Sequence, residues 1–312
     1  MPSRKQAAKL PVIDFSGNNL QSYWASTCEK VRQALEEYGC FVALYEKVSS
    51  DLHNDVFDSL VELFDLPLQT KLKNVSEKPY HGYFGQNPWV PLNESMGIED
   101  AQVLSRTQSF TNLMWPSGNQ NFCKSIHSYS KMVSELDYLV ESMVFESYGV
   151  KKYFDSHIKS TTNLLRLIKY NEPKKSDVNN IGAISHTDKS FITILHQNDV
   201  NGLEIGTKDG EWIDFEPFPS SFVVMAGDAS KAWSNGRIYS PFHRVIMKEG
   251  KDRYSLGMFS FNSGTIQTPK ELVDDEHPLQ FKPFDHLSFL RFYSTDEGQK
   301  HHCSIKAYCG LP

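Results

Sequence analysis

The chain has 312 residues, long enough for one large domain or two modest ones. Hydrophobic residues are 39%, charged residues 22% and aromatics 12%, too apolar for a disordered chain, and the net charge of −6 argues against a basic nucleic-acid binder. No apolar run reaches the 18 residues that a membrane span needs, and the polar, basic residues 1–9 precede an apolar stretch too short for a signal-peptide core, so the expected compartment is the cytosol.

Elements follow in chain order. Residues 10–15 read as a short strand. Trp24, Cys28, Val31 and Leu35 recur at spacings of three and four, predicting an amphipathic helix that Gly39 stops. Residues 40–45 form the next strand. Asp51 is the expected N-cap of a helix through Val56, Leu60 and Leu63 that ends before Pro67. Residues 80–97, rich in Gly, Pro, Asn and aromatics, read as a loop. A long helix carries an apolar stripe of Met132, Val133, Leu136, Leu139, Val140, Met143 and Val144, with Glu135, Asp137 and Glu141 assigned to the opposite face and Gly149 ending it. Beyond residue 161 the texture changes to short runs at 164–170, 191–197, 203–205, 212–215, 222–226, 243–247 and 254–261. Asn201-Gly202, Asp209-Gly210, Asn235-Gly236 and Glu249-Gly250 separate them, the pattern of an antiparallel sandwich or barrel. Leu287, Phe289, Leu290 and Phe292 then predict a closing helix. No internal repeat or low-complexity segment occurs.

The five cysteines, Cys28, Cys40, Cys123, Cys303 and Cys309, are scattered without metal or redox spacing and read as free thiols. Of the eleven histidines, His277, His286, His301 and His302 lie in polar surroundings and are expected to be solvated. His186 differs. In Ser185-His186-Thr187-Asp188 an extended backbone points the imidazole and the carboxylate to one face, and His243 can supply a third ligand from another strand. Two imidazoles and one carboxylate with open positions suit Fe(II) that binds a bidentate cosubstrate and O2. Ten positions after His243, past the 248–251 turn, Arg253 and Ser255 share a strand face, a clamp for a carboxylate; a hairpin would set them beside His243. A pairing of Arg253 with Asp252 on a solvated turn is the alternative.

With these residues in place, the chain resembles the plant 2-oxoglutarate/Fe(II)-dependent dioxygenases over nearly its full length. Leu-Pro-Val-Ile-Asp-Phe (10–15), Glu-Glu-Tyr-Gly-Cys-Phe (36–41) and Leu-Phe-Asp-Leu-Pro-Leu-Gln-Thr-Lys (63–71) resemble the family's N-terminal region. The segments at 111–116, 144–149, 197–204, 208–213 and 232–237 resemble the branch that holds the glucosinolate side-chain dioxygenases and deoxypodophyllotoxin synthase. The resemblance implies a mixed α and β fold: an N-terminal dioxygenase region at 8–115, a double-stranded β-helix (jelly-roll) core at 160–264 and a C-terminal helical cap at 265–312, in one unit. It implies His186, Asp188 and His243 as iron ligands, Arg253 and Ser255 as the clamp for the distal carboxylate of 2-oxoglutarate, and Tyr170 as a hydrogen-bonding partner of that cosubstrate. Many members place an asparagine where this chain has Ile168.

The implied reaction is the oxidative decarboxylation of 2-oxoglutarate to succinate and CO2, coupled to removal of a substrate hydrogen atom, with Fe(II), O2 and ascorbate as reductant. Asp188 keeps the carboxylate that family halogenases lack, which favours hydroxylation, desaturation, demethylation or oxidative ring closure. Candidate substrate contacts are Tyr83, Phe84, Trp89, Phe110, Lys189, Phe191, Phe259, Phe261, Phe289 and Phe292, an aromatic set that suits a specialised metabolite or hormone bound by a monomer. The other readings of these residues are a non-catalytic jelly-roll binding protein and a zinc hydrolase, the latter leaving Arg253 and Ser255 without a purpose.

Overall fold

The structure is a computed structural model that describes residues 9–17, 20–174, 180–248 and 250–312. Residues 1–8 and Glu249, named above, lie outside them. Among the described residues thirteen strands form in chain order: β1 Val12–Asp14, β2 Cys40–Leu44, β3 Asn93–Glu99, β4 Thr161–Tyr170, β5 Ile181–His186, β6 Ile192–Gln197, β7 Leu203–Gly206, β8 Trp212–Asp214, β9 Ser221–Ala226, β10 His243–Ile246, β11 Arg253–Asn262, β12 Thr265–Ile266 and β13 Phe284–Asp285. A major sheet runs β1-β2-β9-β6-β11-β4-β3, and a minor sheet runs β5-β10-β7-β8.

The major sheet is apolar on both faces because both are covered. Along β2, Phe41 and Ala43 pack with the helices on one side, whereas Cys40 and Val42 pack with Leu203, Ile205 and Val245 of the minor sheet. β9 repeats the alternation: Phe222 and Val224 face the helices, Val223 and Met225 the minor sheet. This two-sheet core with helices outside is the expected jelly roll. The helix Gln120–Ser147 lays Val133, Leu136, Val140 and Val144 against the outer face.

Local differences from the sequence reading have physical causes. The helix Ser50–Phe64 is capped by Ser49, whose side chain accepts from the Leu52 N–H, not by Asp51. The last five residues of the loop expected at 80–97 belong to β3, which pairs with β4 from Asn93 to Glu99. Asp137 and Glu141 do not face solvent: they are 3% and 0% exposed, Asp137 accepting from the Asn163 amide at 3.1 Å and Glu141 lying 3.1 Å from His157 Nε2. The expected β10–β11 hairpin does not form either. β10 pairs with β5 and β7 in the minor sheet, and β11 with β4 and β6 in the major sheet. Arg253 therefore stands on the major sheet and His243 on the minor sheet facing it.

His286 is fully buried instead of solvated. Its Nδ1 accepts from the Asn262 N–H at 3.0 Å, which leaves Nε2 to donate to the Lys189 carbonyl at 2.7 Å. Burial pushes its pKa down to about 4. The folded pKa lies below the ordinary value, so the stability His286 contributes is present above pH 6.5 and lost as pH falls through 4. His286→Ala is expected to cost about 2 kcal/mol at neutral pH. The gap to the wild type should narrow as pH falls through that window, read by urea denaturation at several pH values.

Candidate metal and cosubstrate site

Antiparallel pairing of β5 with β10 sets His186 directly across from His243, with ring centroids 4.3 Å apart. Asp188 follows two residues beyond His186, and its Oδ1 lies 3.7 Å from His186 Nε2 and 3.6 Å from His243 Nε2. One ligand atom from each residue falls within 4.8 Å of the others.

Protonation follows from the neighbours. His186 Nδ1 is 2.8 Å from the Ile184 carbonyl, which can only accept, so the ring proton sits there and Nε2 presents a lone pair. His243 Nδ1 is turned toward the Pro241 carbonyl in the same way, at 3.4 Å. Burial first, and then the neighbouring His243, push His186 down to about 4 against the opposing pull of Asp188. The two Nε2 atoms thus converge on a carboxylate. Asp188 Oδ2 is buried and has no hydrogen-bond partner among the described residues. Such a cluster repels itself unless a cation joins it, and the N,N,O donor set suits a divalent transition metal.

Opposite, on the inner face of the major sheet, Arg253 is 2% exposed. One Nη donates to Gln197 Oε1 at 2.6 Å, the other is 3.4 Å from Ser255 Oγ, and Nε has no partner. The guanidinium carbon stands 5.0 Å from the centre of the Tyr170 ring, Tyr170 being its cross-strand neighbour. Asp252 is not its partner: that carboxylate pairs with Lys169 at 3.0 Å. A buried guanidinium without a counter-ion calls for an anion.

A cavity of about 1090 Å³ joins the two walls and is lined by Tyr170, His186 and Asp188. Tyr83, Phe84, Trp89, Lys189, Phe259 and Phe261 also line it. The remaining candidate substrate contacts sit elsewhere. Phe110 stacks on Phe122, Phe191 packs against Trp233, and Phe289 is 0% exposed in the core. Phe292 turns to Tyr308; its neighbours Leu290 and Tyr293 take the cavity side of the helix His286–Tyr293.

Lys189 reaches the cavity wall but not as a free cation. Its ammonium donates to the Thr187 carbonyl and hydroxyl, both at 2.7 Å, and to Asp228 Oδ2 at 2.8 Å, with the Tyr293 ring 4.2 Å away. All three donors are used. Asp228 also accepts from Thr187 and Ser304, and its N–H donates to the Asp188 carbonyl at 2.8 Å. This buried network fixes the backbone that carries Asp188. Asp228 and Gln197 were missed in the sequence; Gln197 closes β6 and Asp228 opens the helix Asp228–Trp233, and only the Gly227-Asp228 step after a strand gave any signal.

The arrangement is that of a jelly-roll fold in which a His-Asp-His donor set suited to a metal faces a buried guanidinium. Comparison with known families gives the model described as 2OG-Fe(II) oxygenase superfamily over residues 162–262, and the model described as non-haem dioxygenase in morphine synthesis N-terminal over residues 10–94. Among curated relatives, the protein of Arabidopsis thaliana named probable 2-oxoglutarate-dependent dioxygenase AOP1.2 is 46% identical over 313 residues, covering 97% of this chain and 96% of its own. The 2-oxoglutarate-dependent dioxygenase AOP3 of the same plant is 33% identical, covering 97% and 98%. A solved structure, the Arabidopsis dioxygenase for auxin oxidation 1 with 2-oxoglutarate, superposes with a TM-score of 0.78 at 28% identity, covering 86% of this chain and 100% of that one. The chain belongs to the 2OG-Fe(II) oxygenase family and is a 2-oxoglutarate- and Fe(II)-dependent dioxygenase.

Because the Asp228 network holds the Asp188 backbone, Asp228→Ala is expected to weaken Fe(II) binding by about 10–100-fold although no ligand is changed. Anaerobic titration calorimetry reads the effect, and an unaltered affinity would show that the network does not position the ligand.

Proposed function

We propose that His186, Asp188 and His243 hold the iron and that Arg253, Ser255 and Tyr170 hold the distal carboxylate of 2-oxoglutarate. The observation that carries this reading is the pair of opposed walls: three converging donors on one, and on the other a buried guanidinium with no acid beside it. Bound Fe(II) supplies activation of O2, which couples decarboxylation of the keto-acid to oxidation of the substrate.

The chain's own side chains do the positioning. The Ile184 and Pro241 carbonyls hold the two imidazoles in the tautomer that frees Nε2. Gln197 fixes the guanidinium plane, and its own amide is tied to the Val200 carbonyl at 2.9 Å. Ser255 adds a hydroxyl beside Arg253, and Tyr170 closes the clamp. Ile168, across β4–β11 from Ser255, offers no amide, so the clamp rests on these three residues.

The substrate is read as a small aromatic or hormone-like metabolite. Support comes from the aromatic lining by Tyr83, Phe84, Trp89, Phe259 and Phe261 and from the cavity's size. Hydroxylation, desaturation, demethylation and ring closure all fit a site that retains the Asp188 carboxylate. Ascorbate as reductant, a monomeric state and a cytosolic location complete the reading; the five free cysteines suit a reducing compartment.

Protein supplied with Fe(II) and 2-oxoglutarate without air is expected to show a weak visible charge-transfer band. Asp188→Ala and Arg253→Ala should each abolish or greatly weaken it, and a normal band in both variants would refute the assignments. A metabolite screen scored by succinate release and product mass then identifies the substrate.

A further inference from the structure

The inner face of the major sheet carries a second buried arginine. Leu164, Arg166, Ile168 and Tyr170 alternate along β4 onto the cavity wall. Glycines lie across from Arg166 on both sides, Gly97 of β3 and Gly257 of β11. The chain at 80–82 runs close over Gly97, where a Cβ would come 2.2 Å from the His81 carbonyl oxygen. The guanidinium is received there by the Tyr80 carbonyl, the Gly82 carbonyl at 2.9 Å and the Ser95 hydroxyl.

These partners fix the group without neutralising it. Both Nη1 hydrogens and one on Nη2 are engaged; Nε–H and the second Nη2–H have no partner among the described residues. Arg166 is 8% exposed. Burial lowers its pKa to about 10, which leaves it a cation at neutral pH. The lysines around the cavity have carboxylates: Lys189 with Asp228 at 2.8 Å, Lys71 with Glu94 at 2.7 Å, and Lys78 with Glu99. Among the described residues the two buried arginines, Arg166 and Arg253, have none. The diacid cosubstrate answers Arg253. It does not answer Arg166, which stands four residues from Tyr170, about 13 Å along the strand.

We propose that Arg166 determines substrate specificity and that the substrate is an organic acid, its carboxylate drawn to Arg166 and its apolar body lying against Phe259, Phe261 and Tyr293. This rests on the functional reading above. The same physics applies at both ends of the cavity: a desolvated guanidinium with spare N–H donors binds a carboxylate far better than an isosteric amide, which brings no charge.

The test uses matched acids and amides: 3-phenylpropanoate and 3-phenylpropanamide, 4-phenylbutanoate and 4-phenylbutanamide, indole-3-acetate and indole-3-acetamide. Each is titrated into protein holding Fe(II) and saturating 2-oxoglutarate without air, so that Arg253 is already engaged, and the visible band reports binding. At least one acid is expected to bind about tenfold or more tightly than its amide. Arg166→Gln should bring that ratio close to one. Arg166→Lys, which keeps the charge but not the fork, should weaken the acid several-fold and leave the amide unchanged, and it carries the test if the glutamine variant fails to fold. No acid preference in the wild type, or a preference that survives these substitutions, overturns the proposal. A wild-type band without acid preference sinks this inference alone; a missing wild-type band sinks the functional reading as well.

Discussion

The antiparallel register that places His186 across from His243 is the constraint on which the site depends. Strand side chains alternate between faces, so a slip of one residue would send one imidazole to the other side of the minor sheet and dissolve the donor set. The register shifts by one residue between Val245–Ala183 and His243–His186, and this irregularity, next to Val245 and Leu203 packed against the major sheet, is what brings the two imidazoles opposite each other. Strand pairing therefore sets the two imidazoles, whereas Asp188 lies in the loop after β5 and is placed by its bond to the Asp228 N–H.

A second theme is how this fold manages buried charge. Lys189 and Asp228 sit together within a closed set of hydrogen bonds, and Lys71 is matched by Glu94. Those pairs serve architecture. Arg253 lacks such a match, and its environment is arranged so that a neutral amide from Gln197 orients it without cancelling it. A protein carboxylate at that point would compete with any incoming diacid, whereas an amide leaves the field of the cation available to a ligand.

Much of this was legible in the chain. The His-x-Asp spacing is local, although only His186 lies in a strand and Asp188 follows it in the loop after β5. His243, Arg253 and Ser255 could be picked out by their order and by the shared face of one strand. What could not be read was which sheet each strand joins. A short turn between two strand-like runs fits a hairpin and a crossover equally well, and only the pairing of β10 with β5 and β7 decides it. Asp137 and Glu141 show a different limit. They fall at helical spacing from Val133 and belong to the buried stripe by period, but their charge suggested the opposite face; Asn163 and His157, distant in sequence, make the burial tolerable. His286 misled for the same reason, since its partners at Asn262 and Lys189 arrive from other elements.

The helical segment after the barrel is tied into the metal-bearing wall at two points: His286 holds the Lys189 carbonyl, and Ser304 donates to Asp228. His186 and His243 lie more than sixty residues before Ser304 in the chain. A nascent chain can pair the strands of both sheets first, but the wall beside Asp188 is fully braced only once Ser304 has joined Asp228, so the site is completed after the strands that form it.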